Sequence, residues 1–489
     1  MPASSPAVES VDVGTLLAEV DPDGTTAPCR LRSLLLGDVV DEVVATVGEL
    51  LGGVTSGARV VLLVDAVPIL RDGTDLKEAV AARLGQDHDV VVRVLDDGSP
   101  ELHVVDEVLD RATSAVTGAD AVVALGGGTI SDIGKVAVAR ARGEGARPVL
   151  LTLQTAASVD GYTDDVSVVL RGGVKRTVPS CWPDAVLADS VTIAGAPARM
   201  NSAGFGEMTS MLVAPADWRL AALVGVDPTF QEGPVRLLGR LGADLGSFSH
   251  GVAAADPDAV AQLTRALALR GIATGIAGTT AVLSGMEHLV SHMLDQHHSQ
   301  HHLPMGLHGA QVGVASVVAA AAWEMLVERL DAGRPADVRV DHLQPDAARA
   351  RVESAFGHLD EEGRVAAECL ADYGKKATTI TAHLDDVRRL LAAWSDHRAD
   401  LTRLLTPSSE IAAGLRAAGT AVTFEELDPR VGPELARWAV ESCALMRNRF
   451  TVVDLLDLLG WWESADVDEV MDRAERAVAA ADAMDRVEA

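Results

Sequence analysis

The chain has 489 residues, enough for two or three domains, and 48% of them are hydrophobic, which excludes general disorder. Its 41 Lys and Arg against 71 Asp and Glu give a formal net charge of −30. Such a charge disfavours nucleic acids and anionic membrane surfaces as partners. An anionic small substrate would need a local basic pocket.

The four cysteines lie far apart without a CxxC pair, which argues against a disulfide scaffold and a thiolate zinc cluster. The N-terminus carries no signal-peptide pattern, and the apolar stretch 312–327 is interrupted and too short to span a bilayer. We therefore predict a cytoplasmic protein without membrane insertion.

Four β-branched runs, at residues 60–64, 90–95, 121–125 and 149–152, alternate with helix-like segments such as 75–84 and 104–116. This alternation predicts βαβ units and a parallel sheet. After about residue 195, Ala, Leu and Arg dominate and the apolar pattern takes the helical period.

The predicted fold is therefore an α/β N-terminal nucleotide-binding domain with a parallel sheet, followed by an all-α C-terminal domain. We expect a loosely ordered segment over 1–25, the α/β domain over 26–195 and a helical metal- and substrate-binding domain over 196–489. A cleft between two such domains is a natural active site.

The third run leads directly into Gly126, Gly127 and Gly128. Glycines let the backbone turn sharply near a ligand, and the helix that follows would direct its first N–H groups at a diphosphate. Position 131 is Ser rather than the glycine of a Rossmann fingerprint, and no Walker A pattern is present. An ordinary glycine turn is the alternative. Asp65, at the end of the first run, suits the hydroxyls of an adenine ribose, so the two features together favour a dinucleotide.

Seven of the 14 histidines fall between residues 288 and 308. His288 and His292 are four residues apart and share one helix face, while His308 precedes the next helix. Glu207 would add a carboxylate to His288 and His308, which gives a three-donor site for one divalent metal. Zinc is our first choice, and nickel and iron suit the same donors. The HHSQHH segment, 297–302, is expected to be exposed and without a ligand role.

The segments GGGTISDIGK, TLQTAASVDGYT, GFGEM followed by ADW, SGMEHLVSH and LHGAQVG resemble those of the sn-glycerol-1-phosphate dehydrogenases in order and spacing. That family belongs to the superfamily of metal-dependent polyol and alcohol dehydrogenases, which includes glycerol dehydrogenase and 3-dehydroquinate synthase. MRNRFTVVDLLDLLGWW is similar to the closing helices of bacterial members. The resemblance covers roughly residues 30–465 and implies a dehydroquinate synthase-like fold, NAD or NADP, and one divalent metal.

The resemblance also implies roles for individual residues. Asp160 matches an aspartate near the substrate and nicotinamide and is expected to be catalytic. His292 is near enough to the implied metal ligands to support one of them or to relay a proton, which is its expected catalytic role. The implied substrate-binding residues are Asp160 and Lys175, and the implied metal ligands are Glu207, His288 and His308. The implied cofactor-binding residues are Asp65, Gly126, Gly127, Gly128, Asp132, Thr152, Thr155 and Ser158.

Two positions depart from the family pattern GFGDxxxK: Glu207 stands where Asp is expected, and Met211 replaces the lysine. Our first hypothesis is NAD(P)H-dependent, metal-dependent reduction of dihydroxyacetone phosphate to sn-glycerol 1-phosphate. A dehydrogenase of an unphosphorylated polyol or other alcohol, and a catalytically retired cofactor-binding homologue, are the alternatives. The expected partner is a small ketone or polyol, and the sequence leaves open whether the chain forms a homo-oligomer.

Overall fold

The computed structural model describes residues 6–99, 101–171, 174–241 and 246–488, excluding the side chains of 171, 174, 175 and 484–488. The chain divides into two compact units. Unit 1 comprises Met1–Gly204 and Arg236–Gly278, and unit 2 comprises Phe205–Val235 and Thr279–Ala489. Our expected division between 195 and 196 lies close to the first crossing, but a later helical segment returns to unit 1.

The described strands all belong to unit 1. They are β1 (Glu9–Ser10), β2 (Ser33–Gly37), β3 (Arg59–Asp65), β4 (Leu70–Arg71), β5 (Thr74–Asp75), β6 (Asp89–Leu95), β7 (Ala121–Gly126), β8 (Val149–Gln154), β9 (Val166–Arg171), β10 (Val174–Pro179) and β11 (Ala185–Asp189).

Seven strands form the main sheet in the order β1-β2-β11-β8-β7-β3-β6, and all its pairs are parallel except β1 with β2. The predicted parallel sheet is confirmed. Its central strands are apolar on both faces: in β3, Val61 and Leu63 pack into one core, and Val60, Leu62 and Val64 pack into the other. Continuous β-branched runs are typical of parallel strands covered on both sides.

The α-helices, in chain order, are α1 (Val13–Val20), α2 (Val43–Leu50), α3 (Leu76–Leu84), α4 (Asp106–Val116), α5 (Gly128–Gly143), α6 (Ser190–Ala194), α7 (Ala198–Met208), α8 (Ala214–Leu223), α9 (Glu232–Gly239), α10 (Gly246–Ala253), α11 (Pro257–Ala277), α12 (Met286–Gln300), α13 (His308–Asp331), α14 (Pro345–Phe356), α15 (Arg364–Ala382), α16 (Leu384–Ala392), α17 (Trp394–Thr402), α18 (Ser408–Ala417), α19 (Pro433–Ser442), α20 (Val452–Leu458) and α21 (Ser464–Glu488). Short 3₁₀ helices lie at Val40–Glu42, Thr209–Leu212, Thr280–Val282, Asp341–Leu343, Phe424–Glu426 and Cys443–Leu445.

The N-terminal segment differs from the loosely ordered chain that we expect over 1–25. Its described part contains β1, which pairs with β2, and α1, whose first turn is capped by the Asp12 side chain. Val13 and Val20 are buried. Local capping and two apolar anchors are enough to order this segment.

Unit 2 is helical, as predicted, and its long helix α13 buries 17 of its 24 residues. By length and composition α13 could cross a membrane, but 83% of its most apolar part is buried inside the protein. A core helix meets the same criterion. All four cysteines are free thiols.

Candidate functional site

Three helices bring the predicted metal donors together, and all three donors belong to unit 2. Glu207 lies near the end of α7, His288 in the first turn of α12, and His308 at the first position of α13. Their donor atoms all lie within 4.8 Å of one another. His288 Nε2 is 3.4 Å from Glu207 Oε1, and His308 Nε2 is 3.7 Å from Glu207 Oε2. Two ligands about 2.1 Å from a tetrahedral ion lie about 3.4 Å apart, so this donor set fits a zinc-sized ion.

A buried carboxylate orients His288. The Nδ1 atom of His288 lies 2.8 Å from Oε1 of Glu287. Glu287 is fully buried, and its Oε1 also accepts a hydrogen bond from the Gly285 N–H. Because Nδ1 faces this carboxylate, Nε2 is the atom presented to Glu207. Burial alone would lower the pKa of His288, but hydrogen bonds to Glu207 and Glu287 raise it to about 9. A metal that binds here must therefore displace a proton.

A hydroxyl–amide pair orients His308. Ser291 Oγ lies 3.0 Å from His308 Nδ1 and donates its hydrogen to Gln311 Oε1 at 2.7 Å. A hydroxyl has one hydrogen to donate, so Ser291 accepts the hydrogen of His308 Nδ1. This tautomer leaves the lone pair on Nε2, on the side of Glu207. Both imidazoles are thus prepared to bind a cation through the same ring nitrogen.

Glycines place Glu207 beside His308. A side chain at Gly206 would collide with the carbonyl oxygen of Gly309, and one at Gly313 would come within 3.0 Å of the Gly206 Cα. Helices α7 and α13 therefore touch backbone to backbone at residues next to Glu207 and His308. Gly206 and Gly313 are required by this contact.

Asp217, from the ADW segment, anchors the start of α12. It is buried, and it accepts hydrogen bonds from the Met286 and Val452 N–H groups and from Trp323 Nε1. Burial, followed by the nearby charge of Glu287, raises its pKa to about 8. These bonds connect α8, α12, α13 and α20 at the turn that carries His288.

His292 lies beside the donor cluster. Its ring centroid is 6.2 Å from that of His288 and 5.6 Å from that of His308.

The HHSQHH segment, residues 297–302, is not uniformly exposed, contrary to expectation. Because α12 continues to Gln300, His298 is turned inward and only 3% exposed, whereas His301 and His302 are exposed.

In unit 1, the glycine loop joins β7 to α5. Side chains at Gly126 and Gly128 would come within 3.0 Å of Ile130 and 2.9 Å of Val159. Gly127 is the N-cap of α5 and has no side chain to occupy the first N–H groups. Those groups remain oriented to bind an anion. Thr155 follows β8 and donates its N–H to the Gly126 oxygen, which places it next to this loop.

The other predicted cofactor and substrate residues differ in burial and in their contacts. Asp65 accepts from Lys77 Nζ at 2.7 Å and from the Val67 N–H at 3.1 Å. Thr152 is buried within β8, opposite Ala124, whereas Ser158 is half-buried in the loop beyond the strand. Lys175 pairs with Leu170 in the β9–β10 hairpin, and its side chain lies outside the described part of the structure.

Lys135, a residue without a role predicted from the sequence, lies fully buried on α5. Its Nζ donates to Asp164 at 2.7 Å and to the carbonyls of Gly161 and Val166, and it lies 3.5 Å from Asp132. Burial raises the pKa of Asp164 to about 7 despite this lysine. Asp132 also accepts the Val168 N–H, so its carboxylate binds the hairpin as well as facing Lys135.

Arg270, on α11, is a second residue without a sequence-based role. Its fully buried guanidinium donates to Asp160 Oδ2 from Nη2 at 3.0 Å and from Nε at 3.2 Å. Asp160, predicted near the nicotinamide and substrate, is partly exposed. The buried cation offsets its charge and holds its position.

Comparison with known proteins identifies the family. A family model described as iron-containing alcohol dehydrogenase matches residues 39–197. The glycerol-1-phosphate dehydrogenase [NAD(P)+] of Haloquadratum walsbyi is 30% identical over 291 residues, which cover 59% of this chain and 76% of that protein. The glycerol-1-phosphate dehydrogenase [NAD(P)+] of Natronomonas pharaonis is 32% identical over 268 residues, which cover 53% of this chain and 70% of that protein. The chain belongs to the glycerol-1-phosphate dehydrogenase family.

The protein is accordingly an NAD(P)-linked oxidoreductase that acts on CH–OH groups, and its family implies a divalent metal. Solved structures support the fold alone. A probable glycerol dehydrogenase from Sinorhizobium meliloti 1021 aligns over 91% of this chain and 96% of its own, with a TM-score of 0.52 at 15% identity. A maleylacetate reductase from Rhizobium sp. strain MTP-10005 aligns over 93% and 97%, with a TM-score of 0.51 at 18% identity.

Replacing Gly206 with Ala tests the backbone contact. We expect G206A to bind zinc at least about tenfold more weakly, because the added methyl separates Glu207 from His308. Isothermal titration with zinc measures this. The matched control is G374A, since a side chain at Gly374, also in a helix of unit 2, would meet nothing within 4 Å. Equal zinc affinity in the two variants would contradict the role of the contact.

Replacing Lys135 with Met tests the buried cluster that Lys135 forms with Asp164 and Asp132. We expect K135M to lower the free energy of unfolding by about 3–5 kcal/mol, because it leaves buried carboxyl groups without their cation. Guanidinium denaturation measures the change. The exposed Lys375 provides the control, and K375M should lie within about 0.5 kcal/mol of the original protein. A K135M effect as small as that of K375M would show that the cluster contributes little.

Proposed function

We propose that the protein reduces dihydroxyacetone phosphate to sn-glycerol 1-phosphate with NADH or NADPH in the presence of a divalent metal, zinc before nickel or iron. The observation that carries the proposal is the convergence of Glu207, His288 and His308, with Nδ1 of both imidazoles already engaged. Relatives named glycerol-1-phosphate dehydrogenase support the substrate. The prepared donor set favours an active enzyme over a retired homologue.

The residues of unit 2 would hold the metal and control the proton. A divalent ion held by Glu207, His288 and His308 would supply Lewis-acid chemistry at the substrate carbonyl. Glu207 supplies the negative charge, and Glu287 and Ser291 keep the two ligand rings oriented. His292, half-buried beside both rings, would hold the proton for the product hydroxyl, since an imidazole nitrogen can accept a proton and donate it again.

The residues of unit 1 would hold the dinucleotide. The N–H groups at the start of α5 would bind its diphosphate, with Gly126 and Gly128 allowing close approach. Asp65 would accept hydrogen bonds from the hydroxyls of the adenine ribose. Lys77, which contacts Asp65, would put a positive charge beside this carboxylate and so reduce its repulsion of the 2′-phosphate of NADPH. Asp160, held by Arg270, would orient the substrate near the nicotinamide.

One observation favours the second candidate, a dehydrogenase of an unphosphorylated polyol. Met211 lies in the 3₁₀ helix Thr209–Leu212, directly after the helix that carries Glu207, and is 8% exposed. This buried thioether stands where the family pattern has a lysine, so the position offers no cation to a phosphate. The substrate of this chain thus depends on whether another group replaces that charge.

The test compares NADH consumption with dihydroxyacetone phosphate and with dihydroxyacetone, on protein of known zinc content. The proposal predicts zinc-dependent turnover of the phosphate with the higher kcat/KM. Turnover of dihydroxyacetone alone would establish the second candidate. In E207Q, turnover should be lost while NADH binding, followed by fluorescence, persists, because the substitution removes a ligand in unit 2 only. Turnover in metal-free E207Q would contradict both candidates.

Restoring the family lysine tests the role of position 211. We expect M211K to raise the kcat/KM ratio of dihydroxyacetone phosphate to dihydroxyacetone by about tenfold, because a hydrogen bond to a charged group contributes about 1.5–3 kcal/mol. M211L, which keeps the apolar volume, should leave the ratio unchanged. An equal ratio in M211K and M211L would show that this position does not read the phosphate.

A further inference from the structure

We propose that unit 2 contains a second divalent-cation position, formed by His292, Asp295 and His308, which shares His308 with the first. One donor atom from each of these residues lies within 4.8 Å of the other two. Two imidazoles and one carboxylate repeat the donor chemistry of the first position. The inference concerns metal binding and goes beyond the proposed reaction.

The helix α12 supplies this position through its periodicity. His288, Ser291, His292 and Asp295 follow the spacing i, i+3, i+4 and i+7, so they form one polar stripe along the helix. The first position uses the beginning of the stripe, and the second uses its continuation. Asp295 is 3% exposed, so its carboxylate lies inside the protein with the inner side of α12. The rings of His292 and His308 are 5.6 Å apart and within 19° of parallel.

Sharing His308 makes the two positions antagonistic. Its Nε2 faces Glu207 at 3.7 Å, and its Nδ1 faces Ser291 at 3.0 Å. If the second cation binds Nε2, it takes the ligand of the first directly. If it binds Nδ1, the neutral ring has no second lone pair, and joint occupancy requires loss of the remaining ring proton. By either route, the second ion binds more weakly than the first.

The proposal predicts a characteristic response to metal concentration. The first equivalent of zinc should activate the enzyme, and excess zinc should inhibit it. An ion held by His292 also removes the imidazole that we assign to proton transfer, a consequence that rests on the proposed function. Metal stoichiometry does not depend on that function and can be measured without turnover.

The experiment counts zinc bound by the metal-stripped full chain during titration. We expect two classes of site in the original protein and only the tighter class in D295N, with inhibition by excess zinc lost in parallel. E287Q should show the converse, a weakened first class, because Glu287 orients His288, which belongs to the first position and not to the second. Because exposed imidazoles such as those of His301 and His302 are potential zinc ligands in a titration, H301A/H302A is the matched control and should retain the second class.

Two results would overturn the proposal. One is a single class of site in H301A/H302A; the other is a second class that persists in D295N. Thermal melting checks that D295N is folded. If it is not, H292N replaces it in the binding measurement, and retention of two classes in H292N would again refute the assignment. Two zinc classes without turnover of any ketone would contradict the proposed function alone.

Discussion

A neutral imidazole has one nitrogen that carries a proton and one that can bind a metal, and the candidate site depends on which is which. Glu287 fixes the choice for His288, and the Ser291–Gln311 pair fixes it for His308. The bonds of Asp217 and the backbone contact at Gly206 hold the helices that carry these rings. These contacts together orient the Nε2 atoms of His288 and His308 toward Glu207.

The carboxyl groups of Glu207, Glu287 and Asp217 are buried in the same region. Buried carboxylates are strongly unfavourable without a compensating charge. Against the effect of burial, Glu207 and Glu287 raise the pKa of His288 to about 9. A proton on His288 therefore offsets part of the negative charge. A divalent cation would offset more. Metal binding and local stability are thus coupled in unit 2. In unit 1, Lys135 and Arg270 neutralise Asp164 and Asp160 with permanent cations instead.

The sequence predicts the sheet and the donor cluster because their signals are local. Buried parallel strands appear as continuous β-branched runs, and Glu207, His288 and His308 carry recognisable metal chemistry. Ser291 and Gln311 look ordinary, since their role depends on a contact across 20 positions. Lys135 and Arg270 sit inside apolar helices, where only the folded chain shows their partners. The return of 236–278 to unit 1 likewise rests on contacts with residues distant in sequence.

X-ray absorption spectroscopy of the protein loaded with one equivalent of zinc tests the central claim most directly. The account predicts a first shell of nitrogen and oxygen at about 2.0–2.1 Å, with the outer-shell scattering of two imidazole rings and no sulfur. The same spectrum of E207Q should lose one oxygen ligand or fail to reach one equivalent of zinc. A shell of oxygen alone, a single imidazole, or a zinc–sulfur distance would contradict the assignment of Glu207, His288 and His308 as the metal ligands.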